Sequence, residues 1–284
     1  MANDELAARL GVAMERWSLS DAEPVSETPT SWVLRVASNG GTRGLKLLKP
    51  HGFDEINGAR LMQWWGGNGA AAIEAIDGHD VLMEWLEGTT LADMVRADNS
   101  RDAAATEVLC TIVARLHRKR TTALPELWPL DHWMRQLRES DLAFLPTDTR
   151  PLWQRAQAML TDLLATTTER VPLHGDLHHE NVIGSGSDWR VIDPKGLIGD
   201  PHYEAANIFR NPHGAEELAL RPGRINRLAD TFERQLGWKA RRVMQWAAVH
   251  SAISAIWDHQ AGRVFEFELR LLPVLLAAVD RRTA

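Results

Sequence analysis

The stretch VPLHGDLHHENVIGSGSDWRVIDPKG, Val171 to Gly196, crowds three histidines, an aspartate, a glutamate and an asparagine between His174 and Asn181 and flanks them with apolar runs. It can be read as a metal nest, a polar surface turn or a catalytic loop. A nest would use His174, His178 and His179. A helical zinc site, however, needs two histidines four apart around a glutamate, and Pro172 and Gly175 put this segment on a loop. A surface turn explains Gly175 and Asp176. It does not explain why Asn181 and Asp193 recur on either side of the short β-like pieces NVIG and WRVID.

Outward from this stretch the chain reads as an ordinary globular protein. At 284 residues, with 44% hydrophobic and 25% charged residues, it can bury about three quarters of its extended surface without staples. The single cysteine, Cys110, falls on the apolar helical pattern of EVLCTIVARL, which predicts a buried residue rather than a nucleophile. The net charge of −6 argues against nucleic acid, and RLHRKR sits at a helix end, where cations suit the dipole. The start, MANDELAARLGVAMERW, reads as an amphipathic helix with Leu6, Leu10, Met14 and Trp17 on one face, not as a leader. LLPVLLAAV is too short to span a bilayer, so no membrane partner and a cytoplasmic setting are expected.

Two textures follow. From about residue 30 to 87 the sequence predicts hairpin, helix, hairpin. SWVLRVASNGGTRGLKLLKP turns at Asn39-Gly40-Gly41, FDEINGARLMQWWGG is helical up to Gly66-Gly67, and AAIEAIDGHDVLMEWLEG turns at Asp77-Gly78. From Leu91 onward helical spacing dominates, at 104–118, 151–169, 224–236, 239–258 and 265–280. MEWLEG, Met83 to Gly88, is the expected hinge between the halves.

The catalytic-loop reading accounts for the most residues. His174-Gly175-Asp176-Leu177-x-x-x-Asn181 has kinase spacing, with glycine where protein kinases have arginine, and Asp193 follows at the end of a short strand. Phosphoryl transfer asks for this set. A carboxylate, Asp176, orients or accepts the acceptor hydroxyl's hydrogen, while an amide oxygen from Asn181 and a carboxylate from Asp193 suit Mg²⁺, which prefers oxygen ligands.

LHGDLHHEN followed by VIDPKGLIGDPHYEAANIFRNP resembles the aminoglycoside phosphotransferase family, in particular its streptomycin 6-phosphotransferase and hydroxyurea kinase branch, over most of the chain from Thr30 to Trp257. The resemblance implies an α+β, protein-kinase-like bilobal fold. Residues 1–87 would be a small nucleotide-binding N-lobe of antiparallel sheet plus helix, and 88–284 a large, mostly helical C-lobe with the catalytic loop and substrate pocket. It implies ATP and Mg²⁺ as cofactors. It also implies a strand lysine for the phosphates, Lys46 or its neighbour Lys49, and a helix glutamate to hold it, Glu55 or its rival Asp54. No G-x-G-x-x-G precedes Lys46, so Thr30 and Ser31 in the turn SETPTS stand where that loop would cover the phosphates. Backbone groups from Glu84 through Trp85 to Leu86 would meet adenine, and Lys195 would approach the phosphates. Asp200 either braces the catalytic loop or is a plain turn residue.

Gly175 and the missing A-P-E motif argue against a protein acceptor and for a small molecule. The streptomycin resemblance makes it a cationic one, most simply with the 6-hydroxyl as target. Its guanidinium groups call for carboxylates and aromatic faces, and Glu204, Trp257 and Asp258 are the candidates. Twelve tryptophans against one tyrosine is unusual, but most of them are expected in packing. Hydroxyurea or another small metabolite is the second acceptor class, and a nucleotide-binding pseudokinase the non-enzymatic alternative. The latter has no need of the carboxylate at Asp176.

Overall fold

The structure is a computed structural model that describes residues 2–282. Its first part is a five-stranded antiparallel sheet in the order β1-β2-β3-β5-β4. The strands are β1 (Ser20–Glu27), β2 (Ser31–Ser38), β3 (Gly41–Leu48), β4 (Ile73–Asp77) and β5 (Asp80–Glu84). Helix α1 (Ala2–Arg16) lies on one face, and α2 (Ile56–Trp65) links β3 to β4 after a 3₁₀ turn at Pro50–Glu55. Both expected hairpins form, although in the first the left-handed residue is Gly41, with φ of +104°. Strand β1 was not foreseen. It is a mostly exposed edge strand containing Pro24, without the alternation that announces a half-buried strand.

Period-two alternation decides what the sheet faces. Trp32, Leu34, Val36, Leu45 and Leu47 pack under α1 against Ala13, Leu10 and Met14. Lys46, paired with Val33 and Val81, therefore points to the opposite face, towards the rest of the chain. Lys49 lies beyond the strand and is bound elsewhere. Its Nζ donates to Glu27 Oε1 and Thr28 O, each at 2.6 Å, over the Trp32 ring.

The second part is helical. It runs through α3 (Leu91–Ala97), α4 (Asp102–Leu116), a short strand β6 (Trp128–Pro129), α5 (Leu130–Trp133), α6 (Arg135–Glu139) and α7 (Arg150–Ala165). The short strands β7 (Val171–Leu173), β8 (Val182–Ser185), β9 (Asp188–Val191) and β10 (Leu197–Gly199) follow, then a 3₁₀ segment at Pro201–Arg210. The chain ends in α8 (Glu216–Ala219), α9 (Pro222–Leu236), α10 (Ala240–Gln260) and α11 (Glu266–Arg281). Helix α10 is buried on nearly every side from Val243 to Ile256, which makes it the centre of this part. Cys110 is buried in α4, and burial pushes its thiol up to about 12.

The two parts are stitched by backbone. Ala71 N–H donates to Val191 O and Val191 N–H to Gly69 O, each at 2.9 Å. Helix α2 belongs to both. Its Leu61, Met62 and Trp65 sit in the large helical core, not in the sheet's own cluster. Among the described residues no helix is long and apolar enough to cross a membrane.

Candidate active site

Residues 174–181 hang between β7 and β8, and 192–196 between β9 and β10, so four short strands aim both segments at one place. The His174 amide donates to both oxygens of the Glu204 carboxylate at 3.0 Å. His174 Nε2–H donates to Ile192 O at 2.9 Å, while Nδ1 accepts the Asp176 amide at 3.3 Å, a pair of bonds that fits one neutral tautomer. Burial lowers the His174 pKa against the opposing pull of Glu204 and Asp176. Gly175 has φ of +79°, and a Cβ there would lie 2.6 Å from Leu197 Cγ, so an arginine has no room at this position.

Asp176 is clamped by side chains from two directions. Asn207 Nδ2 donates to Oδ1 at 2.8 Å, and Lys195 Nζ lies 3.6 Å from Oδ2. The Asn181 amide nitrogen is used up on Asp176 O and His178 Nε2, each at 3.0 Å, which leaves Oδ1 for another partner. His178 Nδ1–H in turn donates to Glu180 at 2.8 Å. Glu180 is held down to about 2: burial works against this and is outweighed by His178 and His213.

Lys46 donates to Glu55 Oε2 at 2.9 Å and to Asp193 Oδ1 at 2.6 Å. Burial pulls its ammonium down, but Asp193 and Glu55 more than offset this and the pKa is raised. Burial likewise opposes ionisation of Asp193, yet Lys46 and Lys195 hold it well below the usual carboxylate range. Glu55 closes the 3₁₀ turn before α2. Asp193 has a left-handed φ of +59° and is followed by two very close backbone approaches. A Cβ on Gly58 would meet Pro194 O at 1.8 Å, and one on Gly196 would meet Asn57 C at 2.8 Å. The helix is therefore pressed directly onto the Asp193–Gly196 segment.

A cavity of about 510 Å³ lies between sheet and helices, with Lys46, Asn181 and Asp193 among its lining residues. Thr30, Ser31, Trp85 and Leu86 line it too, but two expectations about this wall change. Thr28 Oγ1, overlooked in the sequence, accepts the amides of Thr30 and Ser31 at 3.2 and 3.0 Å, so those N–H groups are spent within the turn. Glu84 donates its amide to Ala72 O, and its carboxylate binds the Ala72 amide at 3.0 Å and Arg190 at 2.7 Å. It braces the junction of the two parts, and its N–H is not open to a base.

A second cavity, of about 200 Å³, has Asp176 in its own wall together with Trp257 and Asp258, and shares Lys195 with the first. Glu204, expected in its wall, is not there. It is 1% exposed behind the loop, committed to the His174 amide and close to His117. Glu204 thus performs the bracing that Asp200 was a candidate for. Asp200 instead caps the 3₁₀ segment and pairs with Arg242 and His202. Asn207 and Arg210 also reach this cavity from that segment, and no spacing in the sequence pointed to them. His250 lines it as well; its Nδ1 meets the buried Tyr203 hydroxyl at 3.0 Å, and burial holds it down to about 3.

Among the described residues no group of three or more histidines, cysteines and carboxylates is arranged to hold a metal ion. His179 is fully buried, and burial depresses it well below its ordinary value. The donor set that suits a hard cation is smaller: the ionised Asp193 carboxylate and Asn181 Oδ1, with remaining ligands left for phosphate oxygens and water.

Residues 16–262 match the family described as aminoglycoside/hydroxyurea antibiotic resistance kinase. The chain is 35% identical over 249 residues to a streptomycin 3″-kinase of Klebsiella pneumoniae, covering 86% of this chain and 90% of that one. It is 28% identical over 268 residues to a streptomycin 6-kinase of Streptomyces griseus, covering 90% and 84%. Its fold is similar to that of the aminoglycoside phosphotransferase APH(4)-Ia in a ternary complex with ADP and hygromycin B. That match has a TM-score of 0.64 at 16% identity and covers 96% and 98% of the two chains.

Proposed function

Since the chain belongs to the aminoglycoside/hydroxyurea antibiotic resistance kinase family, and is a phosphotransferase of protein-kinase-like fold, we propose that it transfers the terminal phosphoryl group of ATP to a hydroxyl of streptomycin. The observation that carries this reading is the position of Asp176, held by Asn207 in the smaller cavity and facing Lys195, which also lines the nucleotide-sized one. The 35% relative favours the 3″-hydroxyl over the 6-hydroxyl expected from the sequence. A cytoplasmic setting, where ATP is supplied, fits the same reading.

In this scheme the larger cavity takes ATP, with Trp85 and Leu86 against the base and the hydroxyls of Thr30 and Ser31 near the phosphates. Lys46, fixed by Glu55, binds phosphate oxygens, and Lys195 bridges towards the transferred group. Asn181 and Asp193 would hold Mg²⁺, which when bound supplies charge neutralisation on the phosphates. Asp176 accepts the hydrogen bond of the acceptor hydroxyl and takes its proton as the oxygen–phosphorus bond forms and the bond to ADP breaks. Asn207 keeps one carboxylate oxygen occupied, so the other is the one presented. The second cavity holds the acceptor, with Trp257 and Asp258 as its cation-binding wall.

Coupled ADP release over streptomycin, other aminoglycosides, hydroxyurea and simple alcohols tests the acceptor, and phosphorus–proton correlation spectra of the product assign the hydroxyl. Streptomycin should stimulate release far above water. If none of the compounds does, the antibiotic-kinase reading falls; if hydroxyurea alone does, the other acceptor class of the family description applies. Asp176→Asn should lower kcat by about 10² or more while ADP affinity persists, and near-normal turnover would remove Asp176 from its role.

A further inference from the structure

The acceptor-side cavity contains an ion pair between two of its own lining residues, Asp258 and Arg263, and the phosphoryl-transfer scheme gives the arginine no part. Asp258, near the end of α10, has a side chain only 17% exposed. Its Oδ1 accepts the Nε–H of Arg263 at 2.8 Å and lies 2.7 Å from Nη2 in an ion pair. Arg263 is itself 62% exposed and follows Gly262, whose φ is +67°. Its amide donates to Asp258 O at 2.8 Å, so the link between α10 and α11 is folded back onto one residue by backbone and side chain together.

Trp257 lines the same cavity, with its ring edge-on to Trp133 and to His250, each at 5.9 Å between centroids. A mostly buried carboxylate beside fixed indole surface is a receptor for a planar cation: the fork of a guanidinium matches the carboxylate, and its face tolerates an aromatic neighbour. The other lining carboxylate, Asp176, is held by Asn207 and reserved for the acceptor hydroxyl, and Arg210 is paired with Glu268. Asp258 is thus the carboxylate of this wall left for a ligand, and a guanidinium already sits on it.

We propose that Asp258 and Trp257 form a guanidinium subsite of the acceptor pocket, and that Arg263 fills it as an internal surrogate that the acceptor's own guanidinium displaces. This deepens the acceptor reading above and rests on it. The displacement exchanges like for like at Asp258, and the departing arginine is largely in water, where an ion pair contributes little. An acceptor whose cations are all ammonium groups brings no fork to replace the one it displaces, so Arg263 also acts as a threshold against such molecules.

Methylguanidinium, titrated into the full chain and followed by tryptophan fluorescence, probes the subsite without any assumption about the acceptor. Trp257→Phe identifies the reporting ring, and streptomycin kinetics are measured in parallel. Wild type should bind methylguanidinium saturably. Arg263→Ala should tighten that binding and lower the streptomycin KM by about 2- to 5-fold, the size of a released exposed pair. Asp258→Asn should abolish the binding and raise the streptomycin KM by about tenfold or more with kcat less affected, as expected when a charge-assisted contact made before the transition state is lost. ADP affinity, which depends on the larger cavity, reports that each variant is folded. Methylguanidinium binding that ignores both substitutions overturns the subsite. If streptomycin is not phosphorylated while methylguanidinium still binds through Asp258, the acceptor reading fails and the subsite stands.

Discussion

In the proposed reaction Asp176 orients a hydroxyl, which needs one of its carboxylate oxygens kept still, and Asn207 donates to that oxygen across 2.8 Å. Asn207→Ala removes a hydrogen bond to a charged group, so kcat should fall by about tenfold or more, while ADP affinity, which depends on the other cavity, stays near wild type. Equal kcat in the two proteins would show that Asp176 is held without it. Asp176, Asn181 and Asp193 were legible in the sequence because they occupy one continuous stretch whose spacing carries the chemistry. Asn207 and Glu204 were not, because they act on that stretch from a 3₁₀ segment that returns beneath it only after folding. Glu204 shows the hazard directly: an acidic residue near the site was read as a pocket wall, and its carboxylate in fact satisfies a buried amide.

At the scale of elements, α2 is the piece with two allegiances. Gly58 touches Pro194 O so closely that a methyl group would sit 1.8 Å from it. Alanine is ordinarily the better helix residue by about 1 kcal/mol, so the sign of Gly58→Ala is informative. The clash should win. The variant should lose about 1–3 kcal/mol in urea unfolding and bind ADP more weakly as Asp193 moves from Lys46. A gain in stability would mean that the helix shifts freely. The hairpins and long helices could be read from turn residues and apolar period because both signals are local. Strand β1 escaped because its exposed residues carry no period, and the entry of α2 into the helical core escaped because an apolar stripe does not say which neighbour it will meet.

For the molecule as a whole, three buried histidines tie stability to pH. His174, His179 and His250 are all depressed, chiefly by burial, His250 to about 3 from an ordinary 6.5. Below pH 6.5 the unfolded chain takes up protons that the folded chain refuses, so their contribution is intact above 6.5 and lost as pH falls towards 3. For His250 alone the loss by pH 5.5 is on the order of 1 kcal/mol, and the other two act with the same sign. Asp193 and Glu180, depressed carboxylates, add a second decline below about pH 4.5. Urea midpoints at pH 7.5 and 5.5 should therefore differ clearly, and equal midpoints would place these histidines in contact with water. The junction of α2 with the Asp193–Gly196 segment bears on control. In regulated protein kinases the helix carrying the glutamate is free to swing, and that freedom is the switch. Here the helix is packed backbone against backbone onto the segment bearing Asp193, and the lysine, glutamate and aspartate are already engaged. Using that helix as a switch would require parting this backbone contact and both ion pairs of Lys46 at once.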